Sequence, residues 1–124
     1  MMKNKFLTLF AAALLIVSSF SCGDKDDVQI SVTDSDNTYE FYAKYDKKKT
    51  RRIQDYINSQ VAPSSYSTDD EMDITVTLDD KTEFQLAESK GKVRIKLDKD
   101  DNSNASYHRI KAMCEGIKKV IGEK

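Results

Sequence analysis

The sequence predicts an α+β fold: a two-layer sandwich of an antiparallel sheet with two helices on one face, in the order ββαβββα. Three observations carry this. Between Val28 and Leu97, five stretches alternate apolar with polar residues, the two-residue period of a half-buried strand. Two other stretches, after Asp46 and after Asn102, space their apolar residues three and four apart, the period of a helix with one buried stripe. The outward positions of the strands are charged or polar, so the sheet buries one face only and both helices must share it.

The first strand pairs Val28, Ile30 and Val32 on one side. The turn formers Asp34-Ser35-Asp36-Asn37 follow, and then Tyr39, Phe41, Ala43 and Tyr45 alternate again. A four-residue loop over 34–37 sets Val32 opposite Tyr39 and Ile30 opposite Phe41, all on one face. Asp46 is placed to cap a helix beginning at Lys47, with Ile53, Tyr56, Ile57 and Val61 as its buried stripe. Gln60 to Asp73, with Pro63, its serines and Asp69-Asp70-Glu71, reads as an acidic surface loop.

Met72, Ile74, Val76 and Leu78 form the third strand, and Phe84 and Leu86 the fourth. Leu78 is expected opposite Phe84 across a three-residue loop or a bulge. Glu88-Ser89-Lys90-Gly91 reads as a four-residue turn with Gly91 free to take positive φ. Val93, Ile95 and Leu97 complete the sheet, with Glu83 expected against Lys96 and Gln85 against Arg94. Asn102 or Ser103 opens the last helix, whose stripe is Tyr107, Ile110, Cys114, Ile117 and Ile121, widened by Met113 and Val120.

The residues ahead of this domain have another character. Lys3 and Lys5 precede an apolar run from Phe6 to Val17, relieved only by Thr8 and shorter than the roughly 20 residues a spanning helix needs. Ser18, Ser19, Phe20 and Ser21 lead to Cys22, and the polar Gly23-Asp24-Lys25-Asp26-Asp27 follows at once. This arrangement resembles the signal peptide and lipobox of bacterial lipoproteins, although Ser19 and Phe20 stand where an aliphatic and a small residue are usual. The resemblance implies a signal peptide over 1–21, acylation of Cys22 by a fatty chain such as palmitate, and a tether over 22–27. Residues 28–124 are then a single domain. Lys25-Asp26-Asp27 is similar to the basic-acidic-acidic signal that carries some lipoproteins to the cell surface. The implied location is the outer membrane, on its periplasmic or its surface face.

Composition excludes some classes. The 20 Lys and Arg nearly balance the 21 Asp and Glu, which argues against a dedicated nucleic-acid binder. With Cys22 acylated, Cys114 has no partner for an internal disulfide, and its place on the helix stripe makes it a core residue. The chain offers no Gly-rich phosphate loop, paired-cysteine metal motif or HExxH, so neither a catalytic residue nor a cofactor is assigned. His108 and Cys114 fall on different faces of one helix, about 240° apart. Asp98, Asp100 and Asn102 match the first alternate ligands of a calcium loop. Ser103 stands at its glycine, however, and Arg109 at its bidentate glutamate, leaving a polar turn and no metal site.

One run breaks a local rule. Lys47, Lys48, Lys49, Arg51 and Arg52 put cations at a helix start, against the macrodipole. With Lys92, Arg94 and Lys96 they are candidates for an anionic partner, either an acidic surface or an envelope protein. Tyr42 falls on the polar face and Tyr66 in the loop, so neither offers a sugar platform. The expectation is a lipid-anchored, non-catalytic binding or accessory domain, with an inhibitor or immunity-type module acting on an enzyme as the alternative.

Overall fold

The computed structural model describes residues 16–20, 28–62 and 71–123. The elements from Val28 onward follow the expected order. Strand β1 (Ile16–Phe20) precedes them; β2 (Val28–Asp34), β3 (Thr38–Lys44), α1 (Thr50–Val61), β4 (Glu71–Thr77), β5 (Glu83–Ser89), β6 (Lys92–Asp98) and α2 (Asn104–Gly122) make up the domain. The strands form one antiparallel sheet ordered β1-β2-β3-β6-β5-β4. The sequence reading gives residues 16–20 to the leader and no place in the fold. In the structure they cover the outer edge of β2, with Ile16 opposite Val32 and Phe20 opposite Val28, satisfying backbone groups that an edge strand leaves open. Cys22, its tether and the loop over 63–70 lie outside the described residues.

Side chains of β3, β5 and β6 alternate between buried and partly or fully exposed. Their inner face meets α1 through Ile53, Ile57 and Val61, and α2 through Ile110, Met113, Cys114, Ile117 and Ile121. Phe41, Leu86 and Ile95 are wholly excluded from water, and each such burial stabilises the fold by roughly 1.5–3 kcal/mol. Every buried apolar residue described lies between Tyr39 and Ile121, within the domain that starts at Val28. The helices approach closely where α2 passes α1, for a Cβ added at Gly116 would collide with the Tyr56 ring.

In all three hairpins the register differs from expectation by two: the first and third turns are two residues tighter, and the second keeps a three-residue loop set one residue earlier. Asp34 faces Tyr39 and Val32 faces Phe41, because Ser35 N–H donates to Thr38 O at 2.8 Å and only Asp36 and Asn37 remain in the turn. Val76, not Leu78, faces Phe84. Leu78 pairs with Thr82 across Asp79-Asp80-Lys81, where Lys81 takes φ +73° at the left-handed position of a three-residue loop. Gln85 faces Lys96 and Ala87 faces Arg94, so the expected Glu83–Lys96 and Gln85–Arg94 pairs do not form. Lys90 and Gly91 alone make that turn, with Gly91 at φ +76°. Each shift is by two, so every side chain keeps its face and the core is the expected one.

Helix starts are also refined. Asp46 does act as a cap, accepting from Lys48 N–H at 3.0 Å, but over a single 3₁₀ turn, Lys47–Lys49, that leads into α1 at Thr50. Gln60, expected in the loop, belongs to α1, which Val61 closes as the last residue of its buried stripe, and Glu71 already belongs to β4. Ser103 caps α2, its Oγ accepting from Ser106 N–H at 3.0 Å. Asn102 ties the helix start to the sheet: it accepts from Glu83 N–H and donates to the carbonyls of Glu83 and Asp98.

Candidate functional site

The basic run divides by role once the helices are packed. α1 and α2 lie with the start of one beside the end of the other. Lys49 Nζ donates to the carbonyl oxygens of Ile121 and Glu123, and Arg52 pairs with the Glu123 carboxylate. These two cations sit at the C-terminal end of α2, where the dipole is negative and carbonyls lack helical partners. Arg51 pairs with Asp55 one turn along, in the open, at 3.6 Å. Their cost at the start of α1 is thus offset by what they supply to its neighbour.

Lys47 and Lys48 have no such task. They stand exposed where the β5–β6 turn docks on the chain leaving β3. Tyr45 N–H donates to Gly91 O at 2.8 Å, and Gly91 N–H donates to Thr50 Oγ1 at 3.0 Å. A Cβ on Gly91 would come within 2.9 Å of Tyr45 O and 3.2 Å of Lys47 Cγ, so this close approach requires glycine. The docking brings Lys90 and Lys92 beside Lys47 and Lys48. The sheet adds Lys44, whose register partner is Lys92. All five lysines are exposed, and among the described residues none is held in an ion pair.

A second surface is the sheet face that no helix covers. Across its middle run Ser31, Tyr42, Arg94, Ala87 and Asp73, in register on successive strands. The Arg94 guanidinium lies over the Tyr42 ring, 5.3 Å from its centroid, and its Nε meets Glu40 Oε2 at 3.2 Å. Beside this stack is an open concavity of about 540 Å³, lined by Tyr42, Met72, Asp73, Ala87, Lys92 and Arg94. Lys96 lies one row farther along the same face, opposite Glu40. Tyr42, set aside in the sequence reading as a sugar platform, is thus the stacking partner of the central arginine.

The remaining candidates are dispersed. His108 is exposed and tilted against the Tyr107 ring, while Cys114 is fully buried, its thiol pushed up to about 12 chiefly by that burial. The two are not brought together. In the calcium-like segment, Asp98 Oδ1 accepts from Asp100 N–H at 2.8 Å, Lys99 reaches away to Asp34 at 2.6 Å, and Asn102 is committed to backbone groups. Among the described residues no group of three His, Cys, Asp or Glu side chains is arranged to hold a metal ion.

Three buried polar residues escaped the sequence reading. Thr82 donates to Ser106 Oγ at 2.7 Å, joining the β4–β5 loop to α2. Glu88, read as a turn residue, is buried on the helix side of β5 beside Tyr45, whose hydroxyl is raised by burial and then by the Glu88 charge. The signal for both was the alternation Thr82, Phe84, Leu86, Glu88, which runs through the apolar residues at both ends. Comparison of the chain with protein-family models, with curated proteins and with solved structures finds no match.

Proposed function

We propose that this chain is a lipid-anchored, non-catalytic binding or accessory domain of a bacterial envelope, held at the outer membrane through Cys22, and that it meets a protein partner on the uncovered face of its sheet. The observation that carries the binding role is the stacked Tyr42–Arg94 pair beside an open concavity at the centre of that face. Tyrosine and arginine are the residue types that most often anchor protein interfaces, because each offers a broad planar surface and a polar tip. The anchor rests on the lipobox-like passage into Cys22.

The test has two arms. Cells expressing the full chain are fed labelled palmitate, with Cys22→Ser as the comparison. Label is expected on the native chain and not on the variant; label retained by Cys22→Ser overturns the anchor. Crosslinking in intact cells then compares native protein with Arg94→Ala. Loss of a specific crosslinked protein on Arg94→Ala is the expected result, and an unchanged pattern removes this face from the binding role. Capture of an enzyme whose activity falls on binding identifies the inhibitor alternative.

A further inference from the structure

Sheet register places the start of the domain and the lysine cluster at the same end of the molecule. Gln29 pairs with Lys44, Lys44 with Lys92, and Lys92 with Ser89 after the Lys90–Gly91 turn. Strands lie about 4.8 Å apart, so Lys92 is about 10 Å from Gln29. Val28, the first described residue after Cys22, begins its strand at this same end. The five residues 23–27 reach at most about 16–18 Å.

We infer that the lysine end, formed by Lys44, Lys47, Lys48, Lys90 and Lys92, is a membrane-facing surface that binds the anionic headgroups of the bilayer holding the lipid. The inference rests on the reading of Cys22 as an acylated anchor. Two further features point to an anionic surface. Lys44 and Lys92 stand directly opposite each other, a like-charge pair that disfavours the sheet and that a facing layer of negative charge relieves. The lysines also belong to four separate segments (β3, the 3₁₀ turn, the β5–β6 turn and the start of β6), so their charge is spread over a face rather than aimed at one point. Within the described residues the acids of this end are Asp46, which caps the 3₁₀ turn, the buried Glu88, Glu71 at the far edge of the sheet, and Glu123, whose carboxylate is paired with Arg52. Asp24, Asp26 and Asp27 of the tether carry the opposite sign, so the test retains them.

Sedimentation with vesicles reads this surface apart from the lipid. The protein is residues 23–124, which contain every buried apolar residue described and lack Cys22, and far-UV circular dichroism checks this domain and each variant for folding. Vesicles of phosphatidylcholine with and without phosphatidylglycerol are compared across a salt series. The paired reversal Lys47→Glu with Lys90→Glu is set against Lys81→Glu with Lys111→Glu, which changes net charge equally at the other end. A lysine near an anionic bilayer is worth about fivefold in affinity, so the first pair should weaken binding to the anionic vesicles at least tenfold. The second pair should bind nearly as the native domain does. Binding should fade as salt rises and be absent on neutral vesicles. No binding by the native domain, equal loss in both pairs, or equal binding to neutral vesicles overturns the inference. So does capture of an acidic envelope protein through Lys47 in place of vesicle binding. Palmitate labelling of Cys22 tests the anchor alone, so the two failures are distinguishable.

Discussion

Asp80 shows how one residue can fasten a loop whose sequence looks merely hydrophilic. Its Oδ1 accepts from Thr82 N–H at 3.0 Å and its Oδ2 meets Arg109 Nη1 at 2.8 Å, linking the β4–β5 loop to α2. The bonds from Thr82 first, and Arg109 after them, lower its carboxyl from 3.8 to about 2. A lowered folded-state value means stability that is fully present above the unfolded value and lost as the carboxylate is protonated. The Asp80→Ala variant should therefore unfold at lower urea than the native domain near neutral pH. That gap should narrow between about pH 4 and pH 2 and lose its pH-dependent part below. Urea midpoints measured across this range check it, and a gap that does not change with pH would remove the charge from the explanation. Thr82 itself is buried with its hydroxyl on Ser106, so the loop is held by a side chain that binary patterning records only as polar.

The elements were legible in the sequence because strand and helix periods are set by which side chains must leave water. Val93, Ile95 and Leu97 could only be one face of a strand, and Ile110, Cys114 and Ile117 only one stripe of a helix. Register was less legible. The polar residues Asp34, Glu88 and Ser89 read as turn formers, yet they continue their strands, and the turns shrink to Asp36-Asn37 and Lys90-Gly91. Composition cannot separate these readings, because both keep every apolar residue inside. Strand β1 was hidden for another reason: its residues fall in the stretch read as a signal peptide, a reading made from length and order rather than from the sheet they pair with.

The basic run was visible as an anomaly, but its division required α2 beside α1. Lys49 should therefore behave unlike Lys47, two residues earlier. Lys49→Glu sets a negative charge against the last carbonyls of α2 and should cost about 1–2 kcal/mol. Lys47→Glu should stay within about 0.5 kcal/mol of the native domain. Urea unfolding with an unchanged m-value measures both. Equal effects from the two would mean that the contact with the end of α2 contributes nothing.

At the scale of the whole molecule, the strands act as a spacer between two ends of opposite character. Seven-residue strands rise about 3.3 Å per residue, so the ends lie about 23 Å apart, nearly three screening lengths at physiological salt. The far end gathers Asp36, Asp79, Asp98, Asp100 and Asp101, all exposed, around turns that touch where Lys99 N–H donates to Asn37 O at 2.8 Å. At that separation the acids barely diminish the field of the lysines, and a chain close to neutral overall is polarised along its strands. A domain on a short tether beside an anionic bilayer should then stand with the Lys90–Gly91 turn toward the lipid and the Asp36–Asn37 turn away from it. A fluorophore on a cysteine introduced at either turn reports this in the anchored protein, since the proposed acylation would block Cys22 and burial shields Cys114. Quenchers fixed in the lipid should dim a label at Lys90→Cys strongly and one at Asp36→Cys weakly. Equal quenching at the two ends would show that the domain tumbles freely on its tether and that the charge polarity does not orient it.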